Sequence, residues 1–237
     1  MRLDKYLFEK KIVTSRNKAA ELIKKGKIKV DGKVVLKPSY NIDNLDCKIE
    51  LLEEKLYVSR AAYKLKYFLE DNQISVKNFI CLDIGSSTGG FSQILLEKGA
   101  KEIYAVDVGK DQLHESLKNN PKIKSFENTD IRDFKINKTF DLVICDVSFM
   151  GIRHILKDID RFAKNKIILL FKPQFEVGKE AKRDKKGVVK DKEAILKAYE
   201  RFEEDIKKFG WKTLLKEESK VKGKEGNVET FYYFEKR

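Results

Sequence analysis

From residue 59 onward, short apolar runs alternate with stretches in which apolar residues recur at helical spacing. The runs at 79–82, 140–145 and 166–171 have the length of strands and are apolar on both faces, as in a sheet covered on both sides. Helical spacing between them predicts helices, among them 90–96, 112–117 and 192–209, whereas 173–190 has little periodicity and is predicted to be a long loop. This alternation predicts right-handed crossovers and an α/β fold with a mostly parallel central sheet.

Composition excludes several classes of protein. The chain of 237 residues is long enough for one large and one small domain, and 41% hydrophobic residues suffice for a core. No apolar run approaches the about 20 residues of a membrane span, and residues 1–30 lack the apolar core of a signal peptide. Cys47, Cys81 and Cys145 form no CxxC pair and no metal-type cluster with His114 and His154. We therefore expect a reduced, cytoplasmic protein without a bound metal and without a membrane partner.

The basic excess is concentrated at the N-terminus. The net charge is +13, and residues 1–40 carry twelve Lys or Arg against four Asp or Glu. Such a balance favours a polyanionic partner, either nucleic acid or an acidic membrane face. Two helical stretches, the second capped by Ser15, precede a hairpin signal at Asp31-Gly32. We predict a small α+β domain over residues 1–55, the end of a linker at 56–58 and the α/β domain over 59–237.

A glycine-rich loop follows the predicted strand at 79–82. Its sequence, DIGSSTGGF at 83–91, opens a helix, and its spacing is neither GxGxxG nor the GxxxxGK of a phosphate loop. The loop has no lysine for a phosphate, and Asp83 at its start would repel a pyrophosphate. An amino-acid or sulfonium ligand suits this acidic start better.

Two further acids end the next strands. Asp107 is positioned to accept hydrogen bonds from both hydroxyls of a ribose, and Asp130 to receive an adenine amino group. Together with the loop they look like the S-adenosylmethionine site of a Rossmann-like methyltransferase. A glycine-rich turn with chance acids and an NAD site remain the alternatives. The residues that we expect to bind the cofactor are Asp83, Gly85, Ser86, Ser87, Thr88, Gly89, Gly90, Asp107 and Asp130.

Four polar residues are candidates for a joint site, and two of them, Asp146 and Lys172, stand where open α/β sheets place their sites. Lys64 lies beside the apolar stripe of the helix that begins at Arg60. Asp146 and Lys172 end two buried strands, and Glu229 begins the last strand. The alternative is four surface charges with no joint role.

Here the sequence resembles a known family. SRAAYKL at 59–65, the glycine loop and the four polar residues resemble the FtsJ-like RNA 2′-O-methyltransferases, which use a Lys-Asp-Lys-Glu tetrad. DVSF at 146–149, KPQFE at 172–176 and GNVE at 226–229 look like the TlyA branch, also called hemolysin A. The basic N-terminal part resembles the small RNA-binding domain named after ribosomal protein S-four.

The resemblance implies a methyl transfer from S-adenosylmethionine to the 2′-hydroxyl of a cytidine in ribosomal RNA, leaving S-adenosylhomocysteine. The large-subunit RNA is the expected target, with the small subunit as an alternative. The implied catalytic residues are Lys64, Asp146, Lys172 and Glu229. Lys172 is expected to be central, either as a base or as an electrostatic stabiliser. A non-catalytic RNA-binding or ribosome-assembly factor and a lytic protein are the alternative functions.

Basic and aromatic side chains complete the expected RNA contacts. Phe91, Phe149 and Phe175 are candidates for stacking on a splayed base, with a place in the core as the alternative for each. The basic residues can meet phosphates, which fix position rather than sequence. The alternative for them is a solvated helical face. These basic residues are Arg2, Lys5, Arg16, Lys18, Lys24, Lys25, Lys27 and Arg60.

Overall fold

In the computed structural model of the chain, residues 1–13, 15–44, 46–52 and 57–236 are described. The chain divides into two compact units, Met1–Tyr57 and Val58–Arg237. Residues 53–56, which include the start of the linker end expected at 56–58, lie outside the described residues.

The N-terminal unit is an α+β fold, as predicted. Ser15 caps the second helix by accepting a hydrogen bond from the Lys18 backbone N–H at 3.1 Å. Asp31 and Gly32 both have positive φ angles, 49° and 79°, and form the two-residue turn of the hairpin. The elements are α1 (Leu3–Glu9), α2 (Arg16–Lys24), β1 (Ile28–Val30), β2 (Lys33–Val34) and β3 (Ile49–Leu51), with an antiparallel sheet in the order β2-β1-β3.

The second unit alternates strands and helices around one sheet. Helices pack on the strands through apolar side chains, and the core contains aromatic contacts such as Phe171 with Phe202, whose ring centroids are 4.8 Å apart. The elements are α3 (Arg60–Asp71), β4 (Ile80–Ile84), α4 (Gly90–Glu97), β5 (Glu102–Val106), α5 (Glu115–Lys118), β6 (Ile123–Phe126), β7 (Phe140–Cys145), α6 (Leu156–Phe162), β8 (Ala163–Phe171), α7 (Pro173–Glu176), α8 (Lys192–Lys208), β9 (Lys212–Glu218) and β10 (Thr230–Glu235).

The strand order is β6-β5-β4-β7-β8-β10-β9. Neighbours from β6 to β8 are parallel, whereas β10 is antiparallel to both β8 and β9. The predicted mostly parallel sheet is therefore confirmed. The chain order reverses at β4, which lies between β5 and β7. In open sheets of this kind the ligand crevice forms outside the carboxyl ends of the strands at such a switch point.

Two predicted elements differ from the structure. The helix expected over 112–117 is reduced to Glu115–Lys118, because the Glu127 carboxylate accepts hydrogen bonds from the backbone N–H groups of Asp111, Gln112 and Leu113. These bonds hold the preceding residues in a loop. The long loop expected from 173 onward opens instead with α7, whose first residue is Pro173, a position where a missing N–H costs nothing.

Within the described part of the chain, each helix is too short or too polar to cross a lipid bilayer.

Candidate active site

The glycine loop connects β4 to α4 at the switch point of the sheet. Gly85 has a φ angle of +78°, and a Cβ there would lie 2.9 Å from the backbone oxygen of Asp146 at the end of β7. Gly89 has a φ angle of +89° and precedes the first residue of α4. Glycine at 85 therefore permits both the left-handed backbone and the close approach of the neighbouring strand.

Gly90 brings α3 against the start of α4. A Cβ at this position would overlap the Ser59 hydroxyl and lie 3.1 Å from the backbone nitrogen of Ala62. The close packing places the first turns of α3 beside the glycine loop. It also carries Lys64, one turn further along α3, to the edge of the crevice.

A cavity of about 370 Å³ lies beside the loop, between the ends of β4, β5 and β7. Asp107 and Asp130, the two acids expected to bind the cofactor, both line it. The Asp107 carboxylate accepts hydrogen bonds from the backbone N–H groups of Ser87 and Gly109, each at 2.7 Å. Apolar side chains line the same cavity: Val108, Ile131, Val147, Met150 and Ile155.

Asp130 is less available than the sequence suggested. Its carboxylate receives hydrogen bonds from the Arg132 guanidinium and from the Arg132 backbone N–H. The guanidinium beside it lowers the pKa of Asp130. A contact between Asp130 and an adenine amino group would have to share the carboxylate with Arg132.

Asp83 lies beneath the loop. Among the described residues, it is not one of those that line the two cavities of the site. It is fully buried, and its Oδ2 accepts a hydrogen bond of 2.6 Å from the Ser92 hydroxyl. Its Oδ1 has no hydrogen-bond partner among the described residues. Burial raises the pKa of Asp83 to about 7, against the lowering effect of the Ser92 bond. A direct contact between Asp83 and a ligand therefore lacks support from the geometry.

A second cavity, of about 650 Å³, contains the four residues of the expected tetrad. Gly85, Ser87, Asp146, Ser148 and Phe149 line both cavities, so the two spaces meet along this wall. A ligand in the first cavity and a ligand in the second can therefore approach each other at the end of β7.

The tetrad consists of two ion pairs. The Lys64 Nζ lies 2.7 Å from Glu229 Oε2, and the Lys172 Nζ lies 2.6 Å from Asp146 Oδ1. Lys64 and Lys172 are 8% and 7% exposed, and Glu229 is 2% exposed. Buried charges need such partners, because desolvation disfavours an unpaired ion. The structure brings all four side chains of the expected tetrad to one cavity.

Strand direction explains why Glu229 belongs to this site. The antiparallel β10 runs against β8, and Thr230 is paired with Phe171. The residue before β10 therefore lies beside the residue after β8. Glu229 and Lys172 occupy these two positions, and Pro173 starts α7 immediately after Lys172.

Sequence reasoning did not assign two neighbours of the tetrad. The Ser148 hydroxyl accepts a hydrogen bond of 2.8 Å from Lys172. The Gln174 amide donates to Glu229 Oε1 at 3.0 Å. Both residues lie inside motifs that are visible in the sequence, Ser148 in DVSF and Gln174 in KPQFE. Their hydrogen bonds to the tetrad became apparent only from the structure.

The three phenylalanines have different environments. Phe91 is 2% exposed and belongs to the core. Phe149 is 95% exposed and has a φ angle of +71°. Phe175 is partly buried, with its ring centroid 5.9 Å from that of Phe149. All three line the second cavity, but only Phe149 and Phe175 are exposed enough to be open to a ligand.

The basic residues expected to contact RNA lie on both units. Arg60 is the first residue of α3 and donates to the backbone oxygen of Lys222 at 3.2 Å. In the N-terminal unit, Asp4 binds Arg2 at 2.9 Å and Arg16 at 3.3 Å, and Lys18 and Lys25 both pair with Glu21. The remaining members of this set are Lys5, which pairs with Glu9, and the exposed or partly exposed Lys24 and Lys27.

Residues 57–236 match the family model of the FtsJ-like methyltransferases. The chain belongs to the FtsJ-like methyltransferase family. Residues 1–44 match the S4 domain, in agreement with the predicted N-terminal module.

Several relatives of this FtsJ-like methyltransferase cover its full length. It is 51% identical to the 23S rRNA (cytidine-2′-O)-methyltransferase TlyA of Campylobacter jejuni, over 99% of both chains. The 16S/23S rRNA (cytidine-2′-O)-methyltransferase TlyA of Mycobacterium tuberculosis is 36% identical over 98% of this chain and 88% of that protein. A solved structure from Streptococcus thermophilus, named as a hemolysin, is 30% identical with a TM-score of 0.74, covering 100% of this chain and 88% of that one.

Proposed function

We propose that this protein transfers a methyl group from S-adenosylmethionine to the ribose 2′-hydroxyl of a cytidine in ribosomal RNA of the large subunit. The observation that carries the proposal is the pair of buried lysine–carboxylate ion pairs at the junction of two cavities. The reaction named for the Campylobacter jejuni relative supports the choice of base and RNA.

The residues of the smaller cavity fit the cofactor. Asp107 would accept hydrogen bonds from the ribose hydroxyls, because each carboxylate oxygen can accept more than the one backbone bond it has here. The apolar side chains of Val108 and Ile131 would hold the adenine. The glycine loop from Gly85 to Gly90 would leave room for the methionine part. When bound, the cofactor supplies an electrophilic methyl group on a sulfonium sulfur.

Lys172 would hold the 2′-oxygen of the substrate. The Lys172 ammonium group donates a hydrogen bond to Ser148, and Asp146 forms an ion pair with it at 2.6 Å without hydrogen-bond geometry. An ammonium group has three donors, so a further donor is available to the 2′-oxygen. In that position Lys172 either takes the proton of the hydroxyl or stabilises the negative charge that develops on oxygen during attack. Asp146 would fix the direction of the ammonium group in both cases.

The second ion pair supports the first. Lys64 and Glu229 form a buried neutral pair at the wall of the larger cavity, and Gln174 fixes the second oxygen of Glu229. We infer that this pair shapes the pocket for the target ribose and contributes the charge of Lys64 without leaving a net charge buried.

The N-terminal unit would bind the ribosomal RNA or the ribosomal subunit through phosphate contacts from its basic side chains. Such a substrate would be met in the cytoplasm. The non-catalytic alternative does not explain an ordered tetrad beside a ligand-sized cavity. The lytic alternative is not favoured, since the site and the names of the two TlyA relatives both indicate RNA methylation.

The decisive experiment maps 2′-O-methyl groups on ribosomal RNA. The RNA is taken from cells lacking the protein, from cells that express it, and from cells that express Lys172→Ala at the same level. We expect one cytidine of the large-subunit RNA to be methylated only with the wild-type protein. Identical methylation maps in the three samples would refute the proposed function.

A further inference from the structure

Glu176 ends α7 and points at the turn that follows β7. Its Oε1 accepts a hydrogen bond of 2.6 Å from the backbone N–H of Ile152. A Cβ on Gly151 would lie 2.7 Å from Glu176 Oε2, so glycine at 151 leaves space for this carboxylate. The proposed methyl transfer assigns no role to Glu176. Its hydrogen bond to Ile152 is nevertheless as short as the contacts within the tetrad.

The turn that Glu176 reaches forms the wall between the two cavities. Ser148 and Phe149 line both spaces, and Met150 lines the smaller one. Phe149 combines an exposure of 95% with a φ angle of +71°, a conformation that costs free energy for a bulky residue and persists only where the surroundings impose it.

The segment 172–176 holds this turn at three points. Lys172 donates to Ser148 at 2.8 Å, the ring of Phe175 contacts that of Phe149, and Glu176 binds the Ile152 N–H. The third contact caps the short helical turn Ile152–Ile155, whose first N–H groups have no partner inside that turn. Without it, of the three contacts from segment 172–176, the two at the cavity side would remain.

We propose that Glu176 is a positioning residue for methyl transfer, whose carboxylate holds the turn 148–152 so that Ser148 and Phe149 stand at the junction of the two cavities. The expected effect of Glu176 on methyl transfer rests on the proposed function. The expected effect of Glu176 on the turn does not.

The charge of Glu176 suits this role. Burial raises the pKa of Glu176 to about 6, while the Ile152 N–H and the guanidinium groups of Arg153 and Arg201 lower it. The carboxyl group is therefore mainly ionised at neutral pH. A hydrogen bond from a backbone N–H to a charged acceptor is shorter and stronger than one between neutral groups.

The test compares Glu176→Ala with Glu176→Gln in the full chain. Gln keeps an oxygen that can accept from Ile152, and Ala does not. Glu204→Ala, at an exposed glutamate of α8, is the matched control. At saturating cofactor and RNA, we expect Glu176→Ala to lower the single-turnover rate by about 10- to 100-fold, because small misplacements of reacting groups have effects of this size. Glu176→Gln should stay within a few-fold of wild type.

Limited digestion with chymotrypsin reports on the turn without any reaction. Cleavage after the exposed Phe149, identified by mass spectrometry, should be faster in Glu176→Ala than in wild type and unchanged in Glu176→Gln and Glu204→Ala. Equal melting temperatures would show that the fold as a whole is intact.

Gly151→Ala provides an independent test of the same contact. The added methyl group should displace the carboxylate and reduce the single-turnover rate, whereas Gly151→Ala combined with Glu176→Ala should be no slower than Glu176→Ala alone. Wild-type rate and wild-type digestion in Glu176→Ala, or additive losses in the double variant, would overturn the inference. If the wild-type protein methylates no ribosomal RNA, the proposed function is wrong. The role of Glu176 in the turn is then decided by digestion alone, and unchanged digestion of Glu176→Ala would reject it.

Discussion

Lys64 and Glu229 are 165 positions apart in the sequence and meet at 2.7 Å in an almost fully buried ion pair. The pair joins α3 to the residue before β10, and Gln174 binds the free side of the carboxylate. Burying two charges has a large desolvation cost, which the pair offsets only while both partners are present.

Lys64→Met should therefore destabilise the protein by about 3 kcal/mol, because it leaves the Glu229 carboxylate buried without a partner. Adding Glu229→Gln removes the stranded charge and should restore most of the loss. Urea unfolding of the single and double variants measures both changes. Methyl transfer should be lost in both, since neither retains the charged pair. A double variant that recovers activity together with stability would show that the pair is only structural.

Lys172 offers a test of mechanism. Lys172→Ala should lower single-turnover methylation by at least about 10²-fold, whether the side chain acts as a base or stabilises charge. Calorimetry should show cofactor affinity close to that of wild type, because Lys172 lines the larger cavity only. A near-normal rate in Lys172→Ala would remove the central role from this residue and transfer it to Lys64.

Lys172→Arg separates the two roles. Arginine keeps the positive charge but does not lose its proton at ordinary pH. Substantial activity in this variant would favour electrostatic stabilisation. The pH–rate profile supplies the check: a base must be deprotonated to act, so a wild-type rate that does not rise with pH would agree with the electrostatic role.

The alternation of elements and the glycine loop could be predicted from the sequence because each is a local pattern. The tetrad was implied by the motifs that resemble the FtsJ-like family. Strand ends are also local, so Asp107, Asp146 and Lys172 could be placed at one sheet edge. What could not be predicted depends on contacts between distant residues. The bond from Glu176 to Ile152 joins two segments whose approach depends on the pairing of β7 with β8 and on the direction of α7.

Asp83 and Asp130 show that a position in a sequence motif does not by itself establish a ligand contact. The place of Asp83 in the loop motif suggested a ligand contact. Asp83 is the next-to-last residue of β4, however, and its fully buried carboxylate accepts a hydrogen bond from Ser92 of α4. Asp130 was expected to be free for adenine, and the arginine two residues later occupies its carboxylate.

Asp107→Ala should weaken cofactor binding. The variant removes the proposed acceptor of the ribose hydroxyls and also strands the Ser87 and Gly109 N–H groups, for a loss on the order of 1–3 kcal/mol, or about 5- to 150-fold in affinity. Isothermal calorimetry with S-adenosylmethionine measures this, with Glu115→Ala, an exposed acid of α5, as the control. Wild-type affinity in a folded Asp107→Ala protein would place the cofactor elsewhere.

Asp83 should make stability depend on pH. Its folded-state pKa of about 7 lies above the value of about 4 expected in the unfolded chain, so the folded state holds a proton that the unfolded state releases between these two values. The contribution of Asp83 to the free energy of unfolding is therefore fully present below about pH 4. It falls as pH rises towards 7 and is lost above that.

Asp83→Asn keeps an acceptor for Ser92 and cannot ionise. Its free energy of unfolding, measured in urea from pH 5 to pH 8.5, should decline less with rising pH than that of the wild type. The exposed Asp133→Asn serves as the control and should follow the wild-type curve. Parallel curves for Asp83→Asn and wild type would mean that Asp83 is ionised throughout this range.

In the N-terminal unit, Asp4 holds two guanidinium groups. Arg2 donates to both of its oxygens, at 3.0 and 2.9 Å, and Arg16 donates at 3.3 Å, while Asp4 itself is only 5% exposed. If both arginines bind phosphates, Arg16→Gln should weaken RNA binding and reduce the slope of log K against log salt by about 0.9 for duplex or about 0.7 for single strands. Lys48→Gln, outside the proposed set, should leave the slope unchanged.

Asp4→Ala then decides between two opposing effects. Removing a negative charge from a basic surface should strengthen attraction to RNA, whereas releasing the two guanidinium groups should weaken the ordered contacts. We expect positioning to dominate, with an affinity for the RNA about two- to tenfold lower at moderate salt, because each of these partly exposed pairs is worth up to about 1 kcal/mol. The measurement is RNA affinity as a function of salt, with circular dichroism to verify that the N-terminal unit is folded. Tighter binding in Asp4→Ala would mean that Asp4 only neutralises charge and that Arg2 and Arg16 need no fixed direction to meet the phosphates.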